Sequence, residues 1–177
     1  AGCLIQLGRI AEAEELLKRA VDRPSSSQTQ ALLTLAKLQA TRLRYGDAIA
    51  NLKKVLDKVP GDDEATRVLG HCYAKSEQWD QAIGLYEGMI AKRPDDYQAN
   101  KALARIHLRR GENLKARDRL EAAVKSFPDQ NVSEVKEMKT LIEELKARPD
   151  VEKRIPGRTP QEWMEILLKS SEPERCE

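Results

Sequence analysis

Three prolines, Pro60, Pro94 and Pro128, stand 34 residues apart, and three alanines, Ala48, Ala82 and Ala116, keep the same interval. A fixed period of this length constrains the fold more than composition does, because each period must be one unit that buries its apolar side against the next. The stretch Asp63–Pro94 shows what the unit contains. Leu69, Gly70 and Tyr73 are followed by Trp79, Ala82 and Tyr86, and Pro94 closes the run. Small residues at Gly70 and Ala82 let two antiparallel helices approach, and the four larger ones fill the space around that contact. Pro94 ends the second helix, since it has no N–H and disfavours helical backbone in the residue before it.

The frame recurs on both sides. Leu35-Ala36 and Leu103-Ala104 stand where Leu69-Gly70 stands, while Gln39 and His107 take the place of Tyr73 and Asn113 that of Trp79. Those three substitutions are expected to loosen the second and fourth repeats. The pattern resembles the tetratricopeptide repeat. The resemblance implies an all-α fold, a tetratricopeptide-type α-α superhelix or solenoid, right-handed, of about four repeats with C-terminal capping helices. Charged residues at 34% and aromatics at 4% fit helices better than sheets.

In this frame residues 1–28 are a partial first repeat, half of helix A plus helix B; residues 29–62, 63–96 and 97–130 are the second, third and fourth repeats. Ala1–Leu7 match the second half of a first helix, so the array is expected to continue upstream, a trimmed cap being the alternative. Ser27 and Gln30 read as a capping box, and an acidic residue after Pro60 and after Pro94 is expected to cap the next helix. Residues 131–147 form a capping helix, apolar at Val135, Met138, Leu141, Ile142 and Leu145 and charged elsewhere. Residues 148–158, with two prolines and a glycine, read as a linker. Thr159-Pro160-Gln161-Glu162 then starts an amphipathic C-terminal helix over 159–171, ahead of a tail over 172–177. Trp163, Met164, Ile166, Leu167 and Leu168 give that helix too much apolar surface for water, so it caps the array in cis or docks into a second copy as a homodimer.

A net charge of +2 gives the whole molecule no strong attraction to nucleic acid or membrane. Three scattered cysteines make neither a disulfide framework nor a metal cluster, which points to a reducing, cytoplasmic compartment. No apolar run is long enough to span a bilayer. With two histidines, His71 and His107, and no phosphate-cradling glycine loop, the sequence offers no catalytic, metal or cofactor constellation. Cys72, inside a helix beside Tyr73, reads as packing.

Function is therefore expected on the surface the repeats build. In the family it resembles, the first helices line a concave groove, and the positions that face it fall here on Leu33, Lys37, Glu64, Arg67, His71, Lys75, Gln98, Lys101, Arg105, Leu108 and Arg109, with Gln30, Ala40, Thr41 and Ala74 beside them. Six cations on that face meet one carboxylate, Glu64, and Leu33, Ala74 and Leu108 would make an apolar floor. The carboxylate clamp by which family members hold chaperone tails would need Lys or Arg and Asn where this chain has Leu33, Lys37, Val68, Gln98 and Ala102. That ligand is disfavoured. The expectation is a non-enzymatic protein-interaction scaffold that takes an extended or helical acidic segment. Its rival is the regulatory or targeting repeat region of a longer enzyme. Nucleic acid ranks last, since the basic stripe has few aromatics for base stacking.

Overall fold

The computed structural model describes residues 9–23, 27–130 and 132–147. The half-helix over 1–7, the linker over 148–158, the helix over 159–171 with its homodimer contact, and the tail lie outside the described residues. Among the described residues there are eight helices and no strand: α1 Ile10–Asp22, α2 Gln28–Thr41, α3 Tyr45–Lys58, α4 Asp63–Lys75, α5 Trp79–Lys92, α6 Tyr97–Arg109, α7 Asn113–Ser126 and α8 Ser133–Ala147. None is long and apolar enough to cross a membrane.

One turn is used three times. At the C-termini of α2, α4 and α6 the residues Leu43, Glu77 and Gly111 take φ of 60°, 61° and 74°, the left-handed region. In each turn the next residue's N–H reaches back five residues: Arg44 to the carbonyl of Gln39, Gln78 to Tyr73 and Glu112 to His107, all at 2.9 Å. The left-handed residue itself donates to Ala40, Ala74 or Leu108. This is the Schellman end, which satisfies carbonyls that a helix C-terminus leaves open. Because it reverses the chain within a few residues, α3, α5 and α7 begin at the same offset each time.

The turns into α4 and α6 also share a device. Asp62 accepts from the Ala65 N–H at 2.8 Å and Asp96 from the Ala99 N–H at 2.9 Å, so an aspartate two residues after each proline caps the helix. Ser27 stands at the N-cap of α2 but its side chain makes no cap hydrogen bond, so the expected capping box does not form. Gln28 acts there instead, donating to the Val21 carbonyl at 2.6 Å and accepting from Lys58. Gln130 does the same after α7, donating to the carbonyls of Val124 and Phe127.

The chain forms two compact units, Ala1–Leu85 and Tyr86–Glu177. In the first, α1 packs on α2, α2 on α3 and α3 on α4. Ala13 and Leu17 meet Leu35 and Leu38, while Ala48, Leu52 and Val55 line the inner side of α3 and Leu69, Cys72 and Tyr73 that of α4. In the second, α6 packs on α7 and α7 on α8. Ala116, Leu120 and Ala123 on α7 face Val135, Met138, Leu141, Ile142 and Leu145 on α8 in one cluster. The five large apolar residues of α8 are all buried, and Lys136, Lys139, Thr140, Glu143 and Lys146 remain in solvent. Each fully buried large side chain stabilises by about 1.5–3 kcal/mol.

The residues in place of Tyr73 are buried and partnered within their repeats. Gln39 and His107 are as buried as Tyr73, and each is given a partner: the Asn51 side chain donates to Gln39 at 2.8 Å, and His107 Nδ1 lies 2.7 Å from Glu112 Oε2. Buried polar groups persist where their hydrogen bonds are met.

Candidate protein-interaction faces

The expected groove residues divide between the units. Leu33 and Lys37 lie on α2 and Glu64, Arg67, His71 and Lys75 on α4; Gln98, Lys101, Arg105, Leu108 and Arg109 lie on α6. Helical spacing of three or four residues brings most of each set toward one side of its helix. Leu33 and Leu108, however, are core residues, 3% and 9% exposed, and Leu108 packs in the cluster with Leu120 and Met138. They cannot serve as an open apolar floor. His71, Gln98 and Arg109 are exposed, while Arg67, Ala74, Lys75 and Arg105 are partly buried.

Lys37 and Lys101 hold carboxylates of the neighbouring first helix. Lys37 Nζ pairs with Glu64 from α2 to α4, both side chains about half exposed. Lys101 Nζ pairs with Glu134 from α6 to α8, and here the side chains are only 12% and 15% exposed. The attraction in the second pair is less screened by solvent, at a larger cost in dehydration. Glu134 escaped the sequence reading, since its partner lies a whole repeat away and nothing local marks it. Burial lowers the pKa of Arg105, with the Tyr86 and Glu134 fields acting against that shift and Arg109 with it.

Two carboxylate clusters were also illegible. Glu14 on α1, 5% exposed, accepts from Arg42 at 2.8 Å and Arg44 at 2.6 Å and lies 3.2 Å from Lys18. Burial by itself raises such a carboxyl, but the hydrogen bonds from Lys18 and Arg44 outweigh it and hold Glu14 below 4.5. Glu112, among His107, Arg110 and Lys115, behaves alike: burial acts upward, and the bonds to His107 and Lys115 bring it below 4.5. Both clusters brace a Schellman turn, so their role is structural. Cys72 is buried and its thiol is pushed up to about 11 by burial, which suits packing and not nucleophilic chemistry.

Paired helices joined by one turn repeated every 34 residues define a helical-hairpin repeat protein. The tetratricopeptide repeat pattern matches residues 44–87 and 74–142. The chain belongs to the tetratricopeptide-repeat family. Cellulose synthase operon protein C of Pseudomonas fluorescens is 28% identical over 165 residues, which cover 70% of this chain and 13% of that protein. The chain thus spans a small part of that relative's length. The type III secretion chaperone SycD of Yersinia enterocolitica, solved with a peptide of the translocator YopD, superposes with a TM-score of 0.63 at 24% identity, covering 71% of this chain and 98% of SycD. MamA of Desulfovibrio magneticus superposes with a TM-score of 0.65 at 20% identity over 85% of this chain and 93% of its own. Both likenesses are of fold.

Proposed function

We propose that this chain is a non-enzymatic protein-interaction scaffold whose first-helix faces, α2 with α4 in one unit and α6 with α8 in the other, take acidic segments of a partner protein. The observation that carries the reading is the pair of cross-helix ion pairs, Lys37 with Glu64 and Lys101 with Glu134. Each is an intramolecular example of a first-helix lysine receiving a carboxylate from alongside, which supports the same contact with a ligand, and Arg67, Lys75, Arg105 and Arg109 extend the same helix faces. Charge-assisted hydrogen bonds to Arg and Lys are the strongest contacts such a face can offer. The SycD complex supports a peptide ligand on this fold. The repeat boundaries at 29–62, 63–96 and 97–130 are part of the proposal, as is the assignment of 131–147 as the array's closing helix.

Anisotropy of labelled peptides tests it. An acidic peptide is expected to bind with an affinity that falls as salt rises, and its basic counterpart is expected not to bind. Equal binding of the two would end the reading. A second reading, a regulatory or targeting repeat region of a longer enzyme, is favoured by one fact: the curated relative cellulose synthase operon protein C is matched over only 13% of its length.

A further inference from the structure

We propose, resting on the acidic-ligand reading above, that Arg105 is the residue that anchors a ligand carboxylate on α6, and that Glu134 of α8 is a built-in competitor which weakens that ligand. On α6, Lys101, Arg105 and Arg109 recur every fourth residue and so share a face, with neighbouring side chains about 5–6 Å apart at Cβ. They are not equivalent. Lys101 is held by Glu134 in a nearly dry pair. Arg105 is partly buried, and among the described residues it makes no hydrogen bond or ion pair. A guanidinium drawn partly out of water with no hydrogen-bonded carboxylate loses hydration, which the fields of Tyr86 and Glu134 offset only in part. Its planar fork matches a carboxylate in two parallel hydrogen bonds, which a lysine cannot reproduce. An incoming carboxylate at this position restores what burial removed.

Glu134 acts on the same place from the side. Its charge reaches Arg105 as well as Lys101, so it repels a ligand carboxylate and occupies the cation next to the anchor. With Glu134 fixed there, a chain of phosphates is opposed more than a single protein carboxylate. The ligand class is accordingly a peptide carrying one or two spaced acidic side chains.

The test uses the full chain, a fluorescent decapeptide of Leu and Ser carrying two spaced Glu residues, its Gln-for-Glu counterpart and a single-stranded DNA oligonucleotide, with melting curves for each variant. Wild type is expected to bind only the Glu peptide. Arg105→Gln should weaken it about tenfold or more and Arg105→Lys severalfold, because the charge stays but the fork is lost. Glu134→Gln should tighten it severalfold by releasing Lys101; should that variant not fold, Glu134→Asp reads the same change at smaller size. Undiminished binding by a folded Arg105→Gln overturns the anchor while leaving the acidic-ligand reading intact. No binding of the Glu peptide by wild type sinks both. Unchanged or weaker binding by folded Glu134 variants removes the competitor, and stronger binding of the oligonucleotide replaces the peptide with a phosphate ligand and overturns the assignment.

Discussion

Leu43, Glu77 and Gly111 occupy one backbone position, and only the third suits it. A side-chain-bearing residue in the left-handed region costs about 1–2 kcal/mol, whereas glycine adopts it freely. Glu77→Gly is therefore expected to raise stability by about 1 kcal/mol, part of the relief being offset by glycine's larger unfolded-state entropy. Gly111→Ala should lower it by about 1 kcal/mol from the backbone alone, since a Cβ there meets nothing within 4 Å. Thermal melts of the two variants check this, and shifts of the same sign would refute it. At the same scale, Glu14 and Glu112 make stability depend on acid. Both are held below 4.5 in the folded chain, so the stabilisation from their cation partners is complete above that pH. It is lost as pH falls through the lower folded values, because the unfolded chain then binds protons first. Urea midpoints should be flat from pH 7 to about 5 and fall below, and Glu14→Gln should blunt the fall.

At the scale of the element, α5 carries two glycines in its interior, Gly84 and Gly88, where an added Cβ would meet nothing within 4 Å. Gly84→Ala and Gly88→Ala should each stabilise by about 0.5–1 kcal/mol through helix propensity. Ala82, on the same helix but 0% exposed, is the opposite case: Ala82→Leu should overpack the contact and cost about 1–3 kcal/mol. A melting midpoint unchanged in Ala82→Leu would place the helix contact elsewhere. These contrasts explain what could be read from sequence. Prolines, capping aspartates and the small residues at 48, 82 and 116 act within a few residues of themselves, and they marked the helices. The left-handed turn hid at Leu43 and Glu77 because neither is a glycine. Leu33 and Leu108 were assigned to an open face by repeat position, but position does not say which side of a helix a neighbour covers, and both are core. Glu134 was invisible because its partner lies a whole repeat earlier. That pairing also alters an obvious experiment: reversing charge at Lys101 along with Arg67 and Arg105 would set two carboxylates together in a partly buried place. Its effect on binding could not be separated from loss of structure.

Over the whole molecule, stability in a repeat array is a sum of unit terms and nearest-neighbour interfaces, so damage at one place is felt by its neighbours and fades beyond them. Met138 is the place to apply it. It is 0% exposed on α8, inside the cluster that α7 contributes through Ala116, Leu120 and Ala123. Met138→Ala removes a large buried side chain and leaves a cavity, at a cost of about 2–5 kcal/mol. Because α8 reaches the rest of its unit mainly through α7, and reaches α6 through Lys101 and the cluster that includes Leu108, the expected result is graded. In native-state hydrogen exchange the amides of α8, α7 and α6 should lose protection in that order of severity, and those of α1 to α3 should keep theirs. The two-state alternative, uniform loss from α1 through α8, would mean that the chain unfolds as one cooperative block. The same measurement bears on the ligand. If an acidic peptide settles on Arg105, adding it to Met138→Ala should restore protection first on α6, the helix that carries the anchor.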